Sequence, residues 1–395
     1  MNIILFDGIY HKNLLPLTYT RPVSELRVGI LTIKEKWGEY IENPIQIKTQ
    51  DYLSGKFGSP NDENAIGING SILPSDDLMS SLLELKNKQI LTSKGKIIAI
   101  NPLPLDSENL EETLSEYKMV ETKADFLQIE NVWDIFKLND AAIRADIELL
   151  KENKTFVSPS ETNQILGDEV YIEEGAKVEC AILNSTTGPI YIAKGAEVME
   201  GSILRGPIAL CENGVIKMGA KIYGATTIGP YSKVGGEVNN CVIQGYSNKG
   251  HDGFLGNSVL GEWCNLGADT NTSNLKNNYD EVKLWSYETE RFAKTGTIFC
   301  GLMMGDHSKA GINTMFNTGT VIGVGSNIFG AGYPRNFIPS FSWGGAGGFM
   351  THRLDKMMKT AESVMARRSR TLTEAESAIL QHVFEETKVY RRWDN

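Results

Sequence analysis

The sequence predicts an α/β domain followed by a parallel β-helix of hexapeptide repeats and a helical C-terminal tail, and two observations carry that prediction. Ile192, Val198, Leu204, Leu210, Ile216, Ile222, Ile228 and Val234 fall six residues apart without a miss. A helix returns its apolar face every three to four residues and a strand every two, so a strict period of six means short strands separated by turns that reset one register. With Ile, Leu and Val at roughly a quarter of residues, eight successive hits have a chance on the order of 10⁻⁵, which an ordinary sandwich core does not explain. The second observation is the absence of that register before about residue 155 and after Ile328.

Residues 1–155 read as an α/β domain. A strand covers Asn2–Asp7, a helix is expected from Val23 to Trp37, and apolar segments follow at Ala65–Ile68 and Gln89–Ile100. Val132, Ile135, Phe136, Leu138, Ile143, Ile147 and Leu150 lie near helical spacing, which predicts a helix over 130–150 linking the domains. Ser158-Pro-Ser160 then punctuates the chain, and the β-helix domain spans 156–345. Its ladder starts out of phase at Ile172 and Val178, resumes shifted at Phe254, Leu260 and Leu266, and returns at Ile298, Met304, Ala310, Phe316, Ile322 and Ile328. The polar interruption Ser273–Gly296 is expected to build a site, as long excursions from a rigid scaffold do. Residues 346–395 are helical. Leu354, Met357, Met358, Ala361, Val364 and Met365 keep helical spacing, and Thr373 with Glu376 makes a capping box ahead of Ile379, Leu380, Val383 and Phe384. The intervening Arg367, Arg368 and Arg370 read as a solvated helix end, with phosphate binding as the alternative.

The 395 residues suffice for at least two domains. A formal charge of −10 excludes a general nucleic-acid binder, which needs a basic stripe to displace counterions, but leaves small anionic ligands open. The chain has no run of about 18 apolar residues and opens without a basic, then apolar, leader, so a cytoplasmic protein is expected. Five cysteines without a C-x-x-C pair disfavour a disulfide framework and a zinc ribbon; they are expected to be small buried residues.

The chemistry is sought at the breaks in the ladder. His251 sits in Gly245-Tyr-Ser-Asn-Lys-Gly-His-Asp-Gly-Phe-Leu-Gly256, a segment without rung register. A histidine held between glycines at such a break is either a general base on a rigid support or the partner in a structural hydrogen bond. Histidine titrates near neutrality and can take the proton that an ammonium must lose before it attacks a thioester. Asn265 is a candidate donor to the resulting oxyanion, or a rung of an asparagine ladder. Lys309 and Arg335 are candidate cations for phosphates.

Two resemblances sharpen this. Lys249-Gly-His-Asp-Gly-Phe-Leu-Gly256, Leu260-Gly-Glu-Trp-Cys-Asn-Leu-Gly-Ala268 and Thr270-Asn-Thr-Ser-Asn274 resemble the acetyltransferase half of the GlmU family, bifunctional enzymes that acetylate glucosamine 1-phosphate and uridylylate its product. Their pattern runs K-A-G-H-x-x-Y-L-G, then I-G-x-x-x-N-I-G-A-G-T, then a C-N-Y-D loop. The resemblance implies a left-handed β-helix, a homotrimer with sites between subunits, acetyl-CoA as donor, and a sugar phosphate or nucleotide sugar as partner. It makes His251 the base, places Lys249, Asn265 and Asn274 at the sugar or acetyl group, and puts Ala268 on the CoA channel. Phe254 and Leu275 stand where that family has tyrosines, so the acceptor pocket is expected to differ. Arg205, in Leu204-Arg-Gly-Pro207, is similar to turns that position a sugar phosphate. A zinc hydration site on the same kind of solenoid would need three histidines, and only His251 and His307 lie in this ladder region.

Leu15-Pro-Leu-Thr-Tyr-Thr-Arg-Pro-Val23 resembles the P-L-T-x-x-x-P-K segment of sugar-phosphate nucleotidyltransferases, following an opening strand as there. Their G-x-G-T-R phosphate loop has no counterpart in Asp7–Asn13, their lysine is Val23, and Ile68–Leu73 holds no metal-binding aspartate before Asp76 and Asp77. Gly8, Lys12 and Arg21 remain as nucleotide-binding candidates. Magnesium enters only if this domain is active. The expected function is acetyl-CoA-dependent acyl transfer to an amino-sugar phosphate, coupled to a nucleotidyltransferase-like domain in nucleotide-sugar synthesis. The alternatives are a non-catalytic sugar-nucleotide-binding trimer, or nucleotidyl transfer alone.

Overall fold

The structure, a computed structural model, describes residues 1–105 and 110–394. The chain divides into two compact units, one of Met1–Leu14, Arg21–Leu26 and Leu31–Asn131, the other of Leu15–Thr20, Arg27–Ile30 and Val132–Asn395.

The first unit is built on a six-stranded mixed sheet of order β2-β1-β3-β5-β4-β6: β1 Ile3–Phe6, β2 Gln46–Lys48, β3 Ile66–Asn69, β4 Gln89–Ser93, β5 Lys96–Asn101 and β6 Lys118–Glu121. The helix expected from Val23 to Trp37 does not form as one piece. A short 3₁₀ turn covers Val23–Glu25, and the helix α1 spans Ile33–Tyr40, started by a Thr32/Glu35 capping box. Between them Gly29 adopts φ +81°, where an added Cβ would lie 2.5 Å from Asp146 Oδ2; a left-handed residue stops a helix. Asp76 and Asp77 are exposed in the first turn of α2, Asp76–Leu83.

The second unit is a solenoid. Successive coils contribute strands to two ten-stranded sheets and a six-stranded sheet, parallel within each sheet except where the terminal strands Phe156–Val157 and Gly348–Thr351 pair antiparallel. Ile192 pairs with Leu210 and Leu210 with Ile228, eighteen residues per coil, which is three hexapeptides. The rungs from Ile192 to Val234 all lie in one buried cluster with Ile172 and Val178. Two expected rungs differ. Leu255, not Phe254, enters the core, and Ile298 is 41% exposed. The register continues through the segment that showed none, as Ile243, Lys249 and Leu255, with a lysine standing in the rung. The coil from Ile228 to Ile243 is shortened to fifteen residues, which is the phase shift visible in the sequence.

The excursion over 273–296 folds into an antiparallel hairpin, Lys283–Ser286 with Arg291–Lys294. Trp285 stacks on Phe337 at 4.3 Å and Tyr287 packs edge-on against Tyr19, Phe337 and Tyr390, so its aromatics cover the solenoid rather than line the cavity described below. The helix α3, Asn139–Leu150, belongs to this unit. Asn139 Oδ1 accepts from Gly29 N–H (2.7 Å) and Asp146 Oδ2 from Ile30 N–H (2.6 Å). Leu15–Thr20 docks here too, with Thr20 Oγ1 donating to Asp306 Oδ2 at 2.7 Å. The tail forms α4, Leu354–Ala366, and α5, Glu374–Glu386, the latter with the Thr373/Glu376 capping box that its sequence carries. Among the described residues no helix is long and apolar enough to cross a membrane.

Candidate active site

One row of strands places the site. Lys233, Asn248, Asn265, Lys309, Asn327 and Trp343 are register partners on successive coils and share the outward face of a ten-stranded sheet. Their neighbours Val234, Lys249, Leu266, Ala310 and Ile328 share the inward face. The turn after Asn248–Lys249 carries His251, exposed at a corner of the solenoid. The coil beneath it is bare: Gly236 has φ +69°, and a Cβ there would sit 2.8 Å from the His251 carbonyl oxygen. The coil above presents Ala268 at the equivalent corner.

Lys249 supports this turn from inside. Its side chain is 2% exposed and its Nζ donates to the His251 carbonyl at 2.6 Å. Burial pulls its ammonium down to about 8, with Asp252 and Asp269 opposing. It therefore does not line the cavity, and the substrate contact implied for it by resemblance is replaced by a role beneath the histidine.

A cavity of about 570 Å³ opens over the row, lined by His251, Asn265, Ala268 and Lys309 among others. Four residues that the sequence proposed for one site thus converge. The cations Lys217, Lys233, Arg367 and Arg368 join them, the two arginines from the end of α4; the sequence raised phosphate binding for the arginines as the alternative and did not point to the two lysines. Among the described residues none of these four, nor Lys309, forms an ion pair with a carboxylate. Lys233 is held below the usual lysine range by burial and then by Arg368, Lys217 and Arg367, and Lys309 is lowered by burial. Crowded, unneutralised positive charge in an otherwise acidic chain favours an anionic ligand.

The arginines are fixed by the solenoid edge. Tyr231, Tyr246, Trp263 and His307 occupy successive corners in left-handed conformation and stack face to face, Tyr246 on Trp263 at 4.4 Å. Arg370 lies over the Tyr246 ring and donates to its hydroxyl at 3.2 Å, while Arg368 donates to Asn248 Oδ1 at 3.2 Å. Arg367 and Arg370 are exposed, as a solvated helix end has them, while Arg368, half-buried and bonded to Asn248, belongs to a built cation cluster. Burial pushes the Cys264 thiol, also on the cavity wall, up to about 12, which removes it as a nucleophile.

The remaining candidates lie elsewhere. Asn274 donates to Asn257 Oδ1 at 2.7 Å and bridges two coils away from the cavity. Arg205 is exposed on the six-stranded sheet and Arg335 is exposed on the loop before Phe337; neither lines the cavity. In the first unit Gly8 and Lys12 are exposed and Arg21 is buried. Asp7, at the end of β1, accepts from Val23 N–H (2.9 Å) and the Thr49 hydroxyl (2.6 Å), yet burial still raises its carboxyl to about 7. Asn69 ends β3 and turns its Oδ1 to Ser71. Among the described residues no group of three or more His, Cys, Asp or Glu side chains converges.

Residues 3–155 match the sugar nucleotidyl transferase family. Bifunctional protein GlmU of Alkaliphilus metalliredigens is 25% identical over 273 residues, 56% of this chain and 57% of that protein. The bifunctional sugar-1-phosphate nucleotidylyltransferase/acetyltransferase of Sulfurisphaera tokodaii is 28% identical over 308 residues, 76% of this chain and 69% of that one. Among solved structures, a UDP-N-acetylglucosamine acyltransferase from Campylobacter jejuni is 15% identical, with a TM-score of 0.24 over 56% of this chain and 96% of that one. The chain thus spans under three fifths of the length of the first of these relatives. It is similar, at 23–28% identity, to bifunctional nucleotidylyltransferase/acetyltransferases, with a sugar nucleotidyl transferase domain at its N-terminus.

Proposed function

We propose that the solenoid transfers an acetyl group from acetyl-CoA to the amine of an amino-sugar phosphate, at the cavity that His251 overlooks, in the synthesis of nucleotide sugars. The observation that supports this is the convergence of His251, Asn265, Ala268 and Lys309 on one cavity with the cations Lys217, Lys233, Arg367 and Arg368. As the amine attacks the thioester carbonyl, a C–N bond forms and His251 takes the proton that the nitrogen sheds. The Asn265 amide, which makes no side-chain hydrogen bond among the described residues, is placed to donate to the oxyanion. Collapse breaks the C–S bond, and His251 returns the proton to the departing thiolate. Lys217, Lys233 and Arg368 hold the acceptor's phosphate. Phe254 lies outside the core beside this corner and selects an acceptor that does not need the hydroxyl a tyrosine would offer. The working protein is a cytoplasmic homotrimer on this reading, since stacked coils leave exposed side chains such as Ile312 (70%) to be covered.

The test is thiol release from acetyl-CoA by the full chain, with glucosamine 1-phosphate first and other amino sugars and nucleotide sugars next. Release that requires the acceptor is expected; acceptor-independent background over the whole panel would favour a binding scaffold. Nucleotidyl transfer is the second reading, favoured by the family match over 3–155. Its test is magnesium-dependent pyrophosphate release from nucleoside triphosphates with sugar 1-phosphates, and none over several nucleotides would remove it. Release with any of them would restore a bifunctional enzyme.

A further inference from the structure

The solenoid is interrupted between two strands of the site. Leu210 pairs with Ile228 eighteen residues on, but Leu260 pairs with Met304, forty-four residues on, because the chain leaves the coil there for the excursion that carries the hairpin. A short turn therefore does not set these two coils against each other. Yet Asn265 and Lys309, which line the cavity together, stand on opposite sides of that gap as register partners.

A buried carboxylate joins the two coils. Asp306 is 3% exposed, and its Oδ1 accepts from Glu262 N–H of the preceding coil at 2.8 Å, while His307 N–H donates to the Glu262 carbonyl at 2.9 Å. Gly261 leaves room for this, since a Cβ there would collide with Asp306 Oδ1. Both bonded residues open a corner that leads to a side chain of the site. Glu262 precedes Trp263 and then Asn265; Asp306 precedes His307, whose carbonyl accepts from Lys309 Nζ at 3.0 Å.

The other oxygen of Asp306 accepts from the Thr20 hydroxyl at 2.7 Å. Thr20 is buried in the second unit, 286 positions away in the chain, within the stretch Leu15–Val23 whose sequence resembles a nucleotidyltransferase segment. Its neighbour Tyr19 packs edge-on against Tyr287 of the excursion at 5.5 Å. A carboxylate out of water keeps one orientation when donors hold both of its oxygens, and such charge-assisted bonds are the strong ones.

We propose that Thr20 and Asp306 are positioning residues of the acyl-transfer site: Thr20 fixes the Asp306 carboxylate, the carboxylate ties the corners at Glu262 and His307, and the corners set Asn265 against Lys309. This rests on the reading of the cavity as the acyl-transfer site, and it gives an N-terminal segment a task in the solenoid's reaction. Neither residue lines the cavity, so both act through the side chains that do.

The test uses the full chain and three variants, Thr20→Val, which keeps the shape and removes the donor, Thr20→Ser, which keeps the donor, and Asp306→Asn, each alone and combined with Asn265→Ala. Thr20→Val should lower kcat for acetyl transfer about tenfold, the cost of a slightly displaced donor, with the KM for acetyl-CoA within twofold. Thr20→Ser should stay within twofold of the parent protein, and Asp306→Asn should lose rate as the valine does. On the Asn265→Ala background the Thr20→Val loss should shrink below twofold, because the donor it misplaces is gone. A general loss of folded protein lowers the rate by one factor on both backgrounds, so equal losses overturn the proposal, as does a valine variant as fast as the parent. Amide hydrogen exchange reads the clamp without activity. Residues 259–266 and 303–310 should exchange about tenfold faster in Thr20→Val, with 190–228 unchanged; exchange that is unaltered, or faster everywhere, removes the clamp. If the parent protein transfers no acetyl group to any acceptor, the acyl-transfer reading falls and the catalytic task of Thr20 with it, while faster exchange confined to the two corners still upholds the clamp.

Discussion

His251→Ala should lower kcat for acyl transfer by about 10²–10⁴-fold, the usual contribution of a positioned general base, while KM for acetyl-CoA stays within a few-fold. The split follows from where the residue sits. His251 is exposed at a corner, its backbone carbonyl is held by Lys249, and the cations that bind phosphate lie on other coils and on α4. Removing its ring takes away the proton acceptor and leaves the anion sites in place. Because the side chain is not part of the core, the melting transition should move by no more than about 0.5 kcal/mol in stability, so a dead variant is not an unfolded one. Steady-state kinetics beside a thermal melt decides it. A variant as fast as the parent protein would remove His251 as the base and leave the proton to solvent or to another group.

The ladder was readable because its rungs are aliphatic, and it faded where the chain put something else in the rung. Lys249 is the clearest case. A lysine counts as polar in any periodicity, so the segment 245–256 reads as a break, whereas the structure carries the register straight through it as Ile243, Lys249 and Leu255. The shortened coil before it shifts the phase, and a phase shift in sequence does not distinguish a missing turn residue from a bulging loop. His251, Asn265 and Ala268 were findable because they lie in one local motif at the spacing of neighbouring coils, whereas Lys309, 44 residues from its register partner Asn265, was named only as a cation for phosphates. The cation cluster had no such signal. Arg368 reaches Asn248 from 120 positions away while Arg370 lies over Tyr246 of the Tyr231–Tyr246–Trp263 stack, and nothing near the arginines encodes that. In the first unit the Thr32-x-x-Glu35 cap was present in the sequence and marked the true start of α1, but the apolar run from Val23 masked it.

Lys249→Met should make the protein more stable at pH 7 and the enzyme slower. The lysine stands in the rung between Val234 and Leu266 with Cys241 of the core nearby, and its charge there costs free energy that methionine, of similar length, does not incur. The fall from 10.5 to about 8, at ~1.4 kcal/mol per pKa unit, sets an upper bound of roughly 3.5 kcal/mol on the gain, part of it offset by losing the bond to the His251 carbonyl. The sign with pH is fixed. The folded-state value lies below the unfolded one, so between about pH 8 and 10.5 the unfolded chain binds more protons and the parent protein gains stability as pH rises. Below pH 8 both states are protonated and the burial cost is present in full. The advantage of the methionine variant, read from denaturant midpoints, should therefore be greatest at pH 7 and shrink through pH 10. Activity should go the other way. Freed from the ammonium, the turn Gly250–Asp252 loses the contact that aims His251, and misplacement of a base by an ångström costs on the order of 10–10²-fold in kcat, with the KM for both substrates little changed. Lys249→Arg keeps a donor in the rung but not its length, and should recover part of the rate without the stability. A methionine variant that is less stable at pH 7 would mean that the ammonium–carbonyl bond outweighs desolvation, and one that is stable and fully active would show that the turn needs no support from within.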